Sequence, residues 1–141
     1  MSVSRSYPPV PLLAVSVLVT TGTKALLIQR SKPPYQGAWS LPGGLVDVGE
    51  PLKHAAEREL QEETSLALTM PDQPVEVFDS IQHDDEGKVL THYVLCVFRA
   101  SSSERKVCAA DDAKDAKWMS ADELDALYCT PGTPERIRRF L

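Results

Sequence analysis

The chain has 141 residues, 43% hydrophobic and 25% charged, the make-up of one ordinary-sized soluble domain over 1–141. That balance excludes a disordered tail, a collagen-like fibre and a coiled coil. Fifteen Lys and Arg against twenty Asp and Glu leave a formal charge of −5, a surface that repels a nucleic-acid backbone, so a highly charged substrate needs a cation or a local cluster of basic groups.

Leu12–Thr20 and Lys24–Gln29 are β-rich runs joined through Thr21, Gly22 and Thr23, which predicts a hairpin. The apolar run Val10–Val19 is too short to span a bilayer and lacks the flanks of a secretion signal, so a buried strand is the better reading. Packing against a second copy in a homodimer is another use for it. Ser31–Trp39, with Pro33, Pro34 and Gly37, reads as a loop. Gly43 and Gly44 open a short segment ending at Gly49, and Pro51–Thr64 reads as a helix with Pro51 at its first position and Leu52, Ala55, Ala56 and Leu60 as its apolar stripe. Val75–Ile81 and Tyr93–Phe98 have strand length and flank a polar hairpin tip, Asp84–Lys88. Lys114–Met119 reads as a last strand. Ser120–Glu123 has the form of a capping box, and a final helix from Thr133 and Pro134 is expected to bury Ile137, Phe140 and Leu141. The order predicts an α+β domain with a layered α/β/α sandwich. The three cysteines, Cys96, Cys108 and Cys129, form no CxxC pair, which argues against a disulfide framework and fits a reducing, cytoplasmic setting.

The chemistry concentrates between Gly44 and Glu63. On a helix, Glu59, Glu62 and Glu63 share a face, and Glu50, just before the helix, can fold back beside them. Carboxylates this close repel one another unless compensated, and a hard divalent cation such as Mg²⁺ offers oxygen-seeking compensation. Arg58 can fork onto a carboxylate, and Gly43 and Gly44 let the backbone approach and offer carbonyl oxygens to a metal. Most Glu-rich helix faces are only solvated surface; the glycine turn, Glu50 and Arg58 at fixed offsets shift the balance towards a site.

Those offsets resemble the Nudix box, G-x5-E-x7-R-E-U-x-E-E-x-G-U with U aliphatic. Gly44, Glu50, Arg58, Glu59, Leu60, Glu62, Glu63 and Leu66 fit, and only Ser65 departs, standing where the family has glycine. A left-handed helix end there costs a serine roughly 1–2 kcal/mol. Ala25–Arg30, Gly37–Gly44 and Asp111–Trp118 extend the likeness, particularly to the ADP-ribose pyrophosphatase-like branch.

The resemblance implies a mixed sheet between helices, with the box as a loop–helix–loop. It also implies Mg²⁺- or Mn²⁺-dependent hydrolysis of a nucleoside diphosphate linked to another group. ADP-ribose or a similar nucleotide sugar is the leading substrate, giving AMP and a sugar phosphate. A housecleaning nucleoside-triphosphate pyrophosphatase and a catalytically silent nucleotide sensor are the alternatives. On this reading Glu59, Glu62, Glu63 and the Gly43 carbonyl hold metal, Glu50 holds a second ion or orients water, and Arg58 orients Glu59. The general base comes from Glu59, Glu62 or the acidic loop Asp84–Glu86. Asp112 is either a further metal ligand or a solvated turn residue. Arg30 and Gly44 are expected at the phosphates, and Tyr35 is the better candidate for stacking on a base, since Trp39 more often packs. His54, His83 and His92 lack metal-ligand spacing, and Cys96 reads as a buried structural thiol. The partner is a small-molecule nucleotide, with no nucleic acid and no membrane.

Overall fold

Aliphatic side chains on both faces of Leu12–Thr21 make this run (β1) the strand around which the sheet is assembled. The structure, a computed structural model, describes residues 3–141. β2 (Lys24–Arg30) returns antiparallel across Gly22, whose φ of 58° suits a tight turn, yet the two strands stay in register only at Thr20–Ala25 and Thr21–Lys24. Beyond that point they part. Two short strands fill the wedge: β3 (Trp39–Ser40) on β2, and β4 (Gly43–Leu45) on β1. β4 therefore enters beside the middle of β1, which fixes the glycine turn against the sheet.

The other long strands are β5 (Glu76–His83), β6 (Val89–Ser101) and β7 (Ala113–Ser120). β6 runs parallel to β1, β5 antiparallel to β6, and β7 antiparallel to β2, giving a seven-stranded mixed sheet along the path β3-β2-β1-β6-β5. The apolar run of β1 is taken up within the chain's own sheet.

Helix α1 (Leu52–Thr64) packs Ala55, Ala56 and Leu60 on one face against Val15, Val17, Val19, Leu26, Cys96 and Phe98. The opposite face, with Leu18, Leu27, Trp39 and Val97, is covered by Leu124 of α2 (Ala121–Leu124) and Ile137 of α3 (Thr133–Phe140). This is the expected sandwich. Each fully buried aliphatic or aromatic side chain contributes on the order of 1.5–3 kcal/mol of transfer free energy.

Several boundaries differ from expectation. Pro51 has ψ 147° and caps α1 from outside instead of forming its first turn. Trp39 leaves the expected loop to pair with Gln29. β6 extends at both ends beyond Tyr93–Phe98 because pairing with β5 and β1 carries its polar residues along. Ile137 is buried as expected, but Phe140 is half-buried and Leu141, beyond the last turn of α3, is exposed. Among the described residues no helix is long and apolar enough to cross a membrane.

Candidate functional site

Two adjacent glycines set the geometry. A Cβ on Gly43 would lie 2.1 Å from the Val15 carbonyl oxygen, and one on Gly44 would lie 2.5 Å from Glu59 Oε1. Only glycine lets β4 touch β1 on one side and the α1 carboxylates on the other. The following loop turns back through Gly49 (φ 83°), and Glu50 Oε1 accepts the Asp47 N–H at 3.1 Å.

Arg58 occupies the middle of the acidic group. Its Nε and Nη2 fork onto the two Glu50 oxygens at 2.7 and 2.9 Å, Nη1 donates to Glu59 at 2.9 Å and to Glu62 at 3.3 Å, and Nη2 also reaches the Leu45 carbonyl at 3.1 Å. The expected contact with Glu59 is present, and Glu50 turns out to be the more fully held partner. The Arg58 guanidinium beside it keeps the Glu50 carboxyl below the usual carboxylate range, and the guanidinium is itself held firmly in its charged form.

Glu63 lies deepest, 4% exposed, with Oε2 accepting the Gly43 N–H at 2.9 Å. Burial pushes its pKa up to about 8, against the Gly43 bond, with the Glu59 and Asp111 charges adding to the rise. Burial also raises Glu59, against the opposing pull of Arg58. Glu62 is the accessible member, its side chain 44% exposed. Two desolvated carboxylates and a third at the surface form an oxygen-rich anionic wall, a donor set that suits a hard divalent cation. Among the described residues no three acidic, His or Cys side chains already form a closed cage, but Mg²⁺ commonly takes one or two carboxylates and completes its shell with water and phosphate. The residues fit such an ion.

This wall borders a cleft of about 610 Å³ whose lining includes Gly43, Gly44, Glu59 and Glu63, and also Arg30, Tyr35, Phe78, Asp111, Asp112 and Arg136. Arg30 donates from Nε to the Pro34 carbonyl at 2.8 Å, and its charge reaches Glu63. Tyr35, in a left-handed conformation, accepts a hydrogen bond from Gln82 Nε2 across the cleft. Trp39 is buried in the core.

The acidic residues outside the helix sort among the alternatives named for them. Asp112 lines the cleft, but its carboxylate pairs with Lys32 at 2.9 Å and is largely exposed. Asp111, at φ 56°, is near enough for its charge to add to the rise at both Glu59 and Glu63. Sequence spacing pointed at the neighbouring carboxylate; the doubled Asp was the one available signal. The Asp84–Glu86 loop is not brought to the cleft. Asp84 instead accepts the Tyr7 hydroxyl at 2.8 Å and the Glu86 and Lys88 N–H groups at 2.9 Å, closing its own hairpin tip.

A glycine turn, an Arg-held group of helix carboxylates and a nucleotide-sized cleft define a hydrolase domain built around phosphate and a divalent ion. A family model described as "NUDIX domain" matches residues 10–140, and the chain belongs to the Nudix hydrolase family. It is similar to an ADP-ribose pyrophosphatase of Methanocaldococcus jannaschii, 33% identical over 117 residues, which covers 83% of this chain and 66% of the relative. It is also similar to the nucleoside triphosphatase NudI of Salmonella paratyphi B, 32% identical over 98 residues, covering 67% of this chain and 69% of that one. The chain thus spans about two thirds of the length of these relatives. Among solved structures, a MutT NUDIX hydrolase from Burkholderia pseudomallei superposes with a TM-score of 0.79 at 27% identity, covering 94% of this chain and 99% of the other.

Proposed function

We propose that this chain is a metal-dependent pyrophosphohydrolase that cleaves a nucleoside diphosphate linked to another moiety. ADP-ribose or a related nucleotide sugar is the substrate, and AMP and a sugar phosphate are the products. The observation that carries this reading is the pair of desolvated carboxylates, Glu59 and Glu63, set against the Gly43–Gly44 turn at one wall of the cleft. The likeness to an ADP-ribose pyrophosphatase supports the substrate class.

Glu59, Glu62, Glu63 and the Gly43 carbonyl would hold the ion, with Asp111 and Asp112 on the facing loop. A Mg²⁺ or Mn²⁺ ion held by these residues would supply a water of lowered pKa and offset charge on the diphosphate. Arg58 fixes Glu59 and Glu50 in place before substrate arrives, so little reorganisation remains at the moment of reaction. Gly44, lacking a Cβ, leaves the carboxylate of Glu59 and the substrate room to meet. Arg30, which enters no ion pair among the described residues, grips a phosphate oxygen. Glu62, the accessible carboxylate, takes the proton of the attacking water. Tyr35 closes the side of the cleft as an aromatic wall. Cys96, Cys108 and Cys129 are all free, which supports a reducing, cytoplasmic setting.

The test is a panel of ADP-ribose, other nucleotide sugars, dinucleotides and nucleoside triphosphates, assayed with Mg²⁺ and with Mn²⁺ and read by product separation. AMP plus a sugar phosphate is the expected outcome. Pyrophosphate release from a triphosphate would favour the second reading, which the likeness to NudI supports. Folded protein that takes up neither ion, with or without nucleotide, would overturn the mechanism.

A further inference from the structure

The segment that precedes β1 is anchored to the sheet at one residue. Tyr7, at φ 51°, donates its backbone N–H to the Leu90 carbonyl of β6 at 2.8 Å and its hydroxyl to Asp84 at 2.8 Å. Asp84 is itself fixed by the N–H groups of its own hairpin tip. Ser4 Oγ closes a bend onto the Ser6 carbonyl at 2.6 Å, and Pro8, Pro9 and Pro11 stiffen the path into β1. Pinned in this way to the β5–β6 hairpin, the segment brings Arg5 to the rim of the cleft, where it joins the lining. Arg5 lies ahead of residues 10–140, which match the family model, so the box and its spacing say nothing about it.

The cations along the cleft differ in how far their charge is already used. Arg136 is paired with Glu76 and Lys32 with Asp112. Among the described residues, Arg30 and Arg5 are the lining cations that enter no ion pair. The Arg5 side chain is exposed, and its charge reaches Lys32, where it opposes the stronger pull of Asp112. Arg5 therefore stands on the Lys32–Asp112 side of the opening. The walls below it carry Glu59 and Glu63, with Asp111 and Asp112 on the facing loop. One divalent ion does not offset that many carboxylates and a diphosphate as well. A guanidinium with its donors free is the group that phosphate recognition demands. An exposed arginine on an open surface is usually only solvated; this one is carried by an anchored, proline-stiffened segment to the mouth of an acidic cleft.

We infer that Arg5 is a substrate-binding residue whose guanidinium takes a phosphate oxygen of the diphosphate from the rim of the cleft. Tyr7 is a positioning residue that acts through Arg5. The inference rests on the nucleotide reading above and adds to it a binding group from outside the catalytic box.

The experiment is calorimetric binding to the whole chain with Mg²⁺ present, at low and at high salt. The probes are inorganic pyrophosphate and methylene-bridged ADP-ribose, which cannot be hydrolysed between its phosphorus atoms. The proteins are the natural chain, Arg5→Gln, Arg5→Lys, Tyr7→Phe and the double variant of Arg5→Gln with Tyr7→Phe. Arg5→Gln is expected to weaken both probes about tenfold at low salt. The loss shrinks at about 1 M salt, where charges are screened beyond about 3 Å, and Arg5→Lys, which keeps the charge, recovers most of it. Tyr7→Phe weakens both probes about threefold and adds nothing on top of Arg5→Gln. Unchanged affinity in Arg5→Gln would make Arg5 a solvated surface charge and overturn the inference, with the phosphate site left standing. A loss equal at both salts would be structural, and a loss confined to the ADP-ribose analogue would assign Arg5 to the sugar or base; either overturns it. Additive losses in the double variant would overturn the role of Tyr7. If the natural protein binds neither probe, the nucleotide reading fails and takes this inference with it.

Discussion

The neighbouring glycines of β4 should give opposite phenotypes when each is changed to alanine. In Gly44→Ala the new methyl falls 2.5 Å from Glu59 Oε1, 2.6 Å from Cδ and 2.7 Å from Oε2, whereas ordinary contacts are about 3.5 Å. The carboxylate must retreat by roughly 1 Å, which also pulls it off Arg58 Nη1, now at 2.9 Å. The displaced group is the far end of a side chain, so the fold should survive, with unfolding free energy changed by no more than about 1 kcal/mol. Catalysis should not survive unscathed: a misplacement of about 1 Å costs on the order of 100-fold. In Gly43→Ala the methyl meets backbone, with the Val15 oxygen at 2.1 Å and Ser16 Cα at 3.0 Å. Relief then requires β4 to move off β1, at a cost of about 1–3 kcal/mol or more, which is a fall of at least several degrees in Tm. Thermal melts paired with kcat/KM on ADP-ribose separate the two. Near-normal turnover in Gly44→Ala, or a melt as low as that of Gly43→Ala, would refute the contact argument.

Three further predictions follow from individual side chains. Glu63→Gln keeps an oxygen for the Gly43 N–H, so its melt should stay close to that of the natural protein while metal-dependent turnover drops at least about 100-fold; activity within tenfold would remove Glu63 from the metal site. Ser65 ends α1 at φ 65° with its N–H on the Gln61 carbonyl, so Ser65→Gly should raise stability by about 1 kcal/mol, read as a small rise in Tm with unchanged kcat. Arg136, with Arg139 assisting, holds the Glu76 carboxyl below the usual range, so the unfolded chain takes up this proton first as pH falls. The stability it contributes is therefore full above about pH 4.3 and lost below it; Glu76→Gln should melt lower at pH 7 by an amount that shrinks to nothing by acid denaturation, and a pH-independent difference would count against the pairing.

Much of this architecture was legible because local pattern and final structure agree. The aliphatic run of β1, the hairpin through Gly22 and the stripe Ala55, Ala56 and Leu60 each encode their element in a few consecutive residues. The box spacing likewise predicts the grouping of Glu50, Glu59 and Glu62 around Arg58, with Glu63 beside Glu59. Where reading failed, the deciding partner was distant. β3 and β4 are two and three residues long and exist because β1 and β2 diverge, not through any propensity of their own. Asp111, in a left-handed loop conformation, adds its charge at Glu59 and Glu63 with no local signal beyond the doubled Asp to announce it. The Glu76–Arg136 pair joins residues at opposite ends of the C-terminal half, and no local signal links them.

The side-by-side alignment of β1 with β6, Leu12 beside Tyr93 and Thr20 beside Ser101, has a consequence for biosynthesis. The greasiest strand of the chain is synthesised long before its parallel neighbour, and such distant pairings are slow to close. Until then its backbone is an open template for any other extended segment. Crowded expression should therefore favour inclusion bodies, and slower translation or lower temperature should return more of the protein to the soluble fraction.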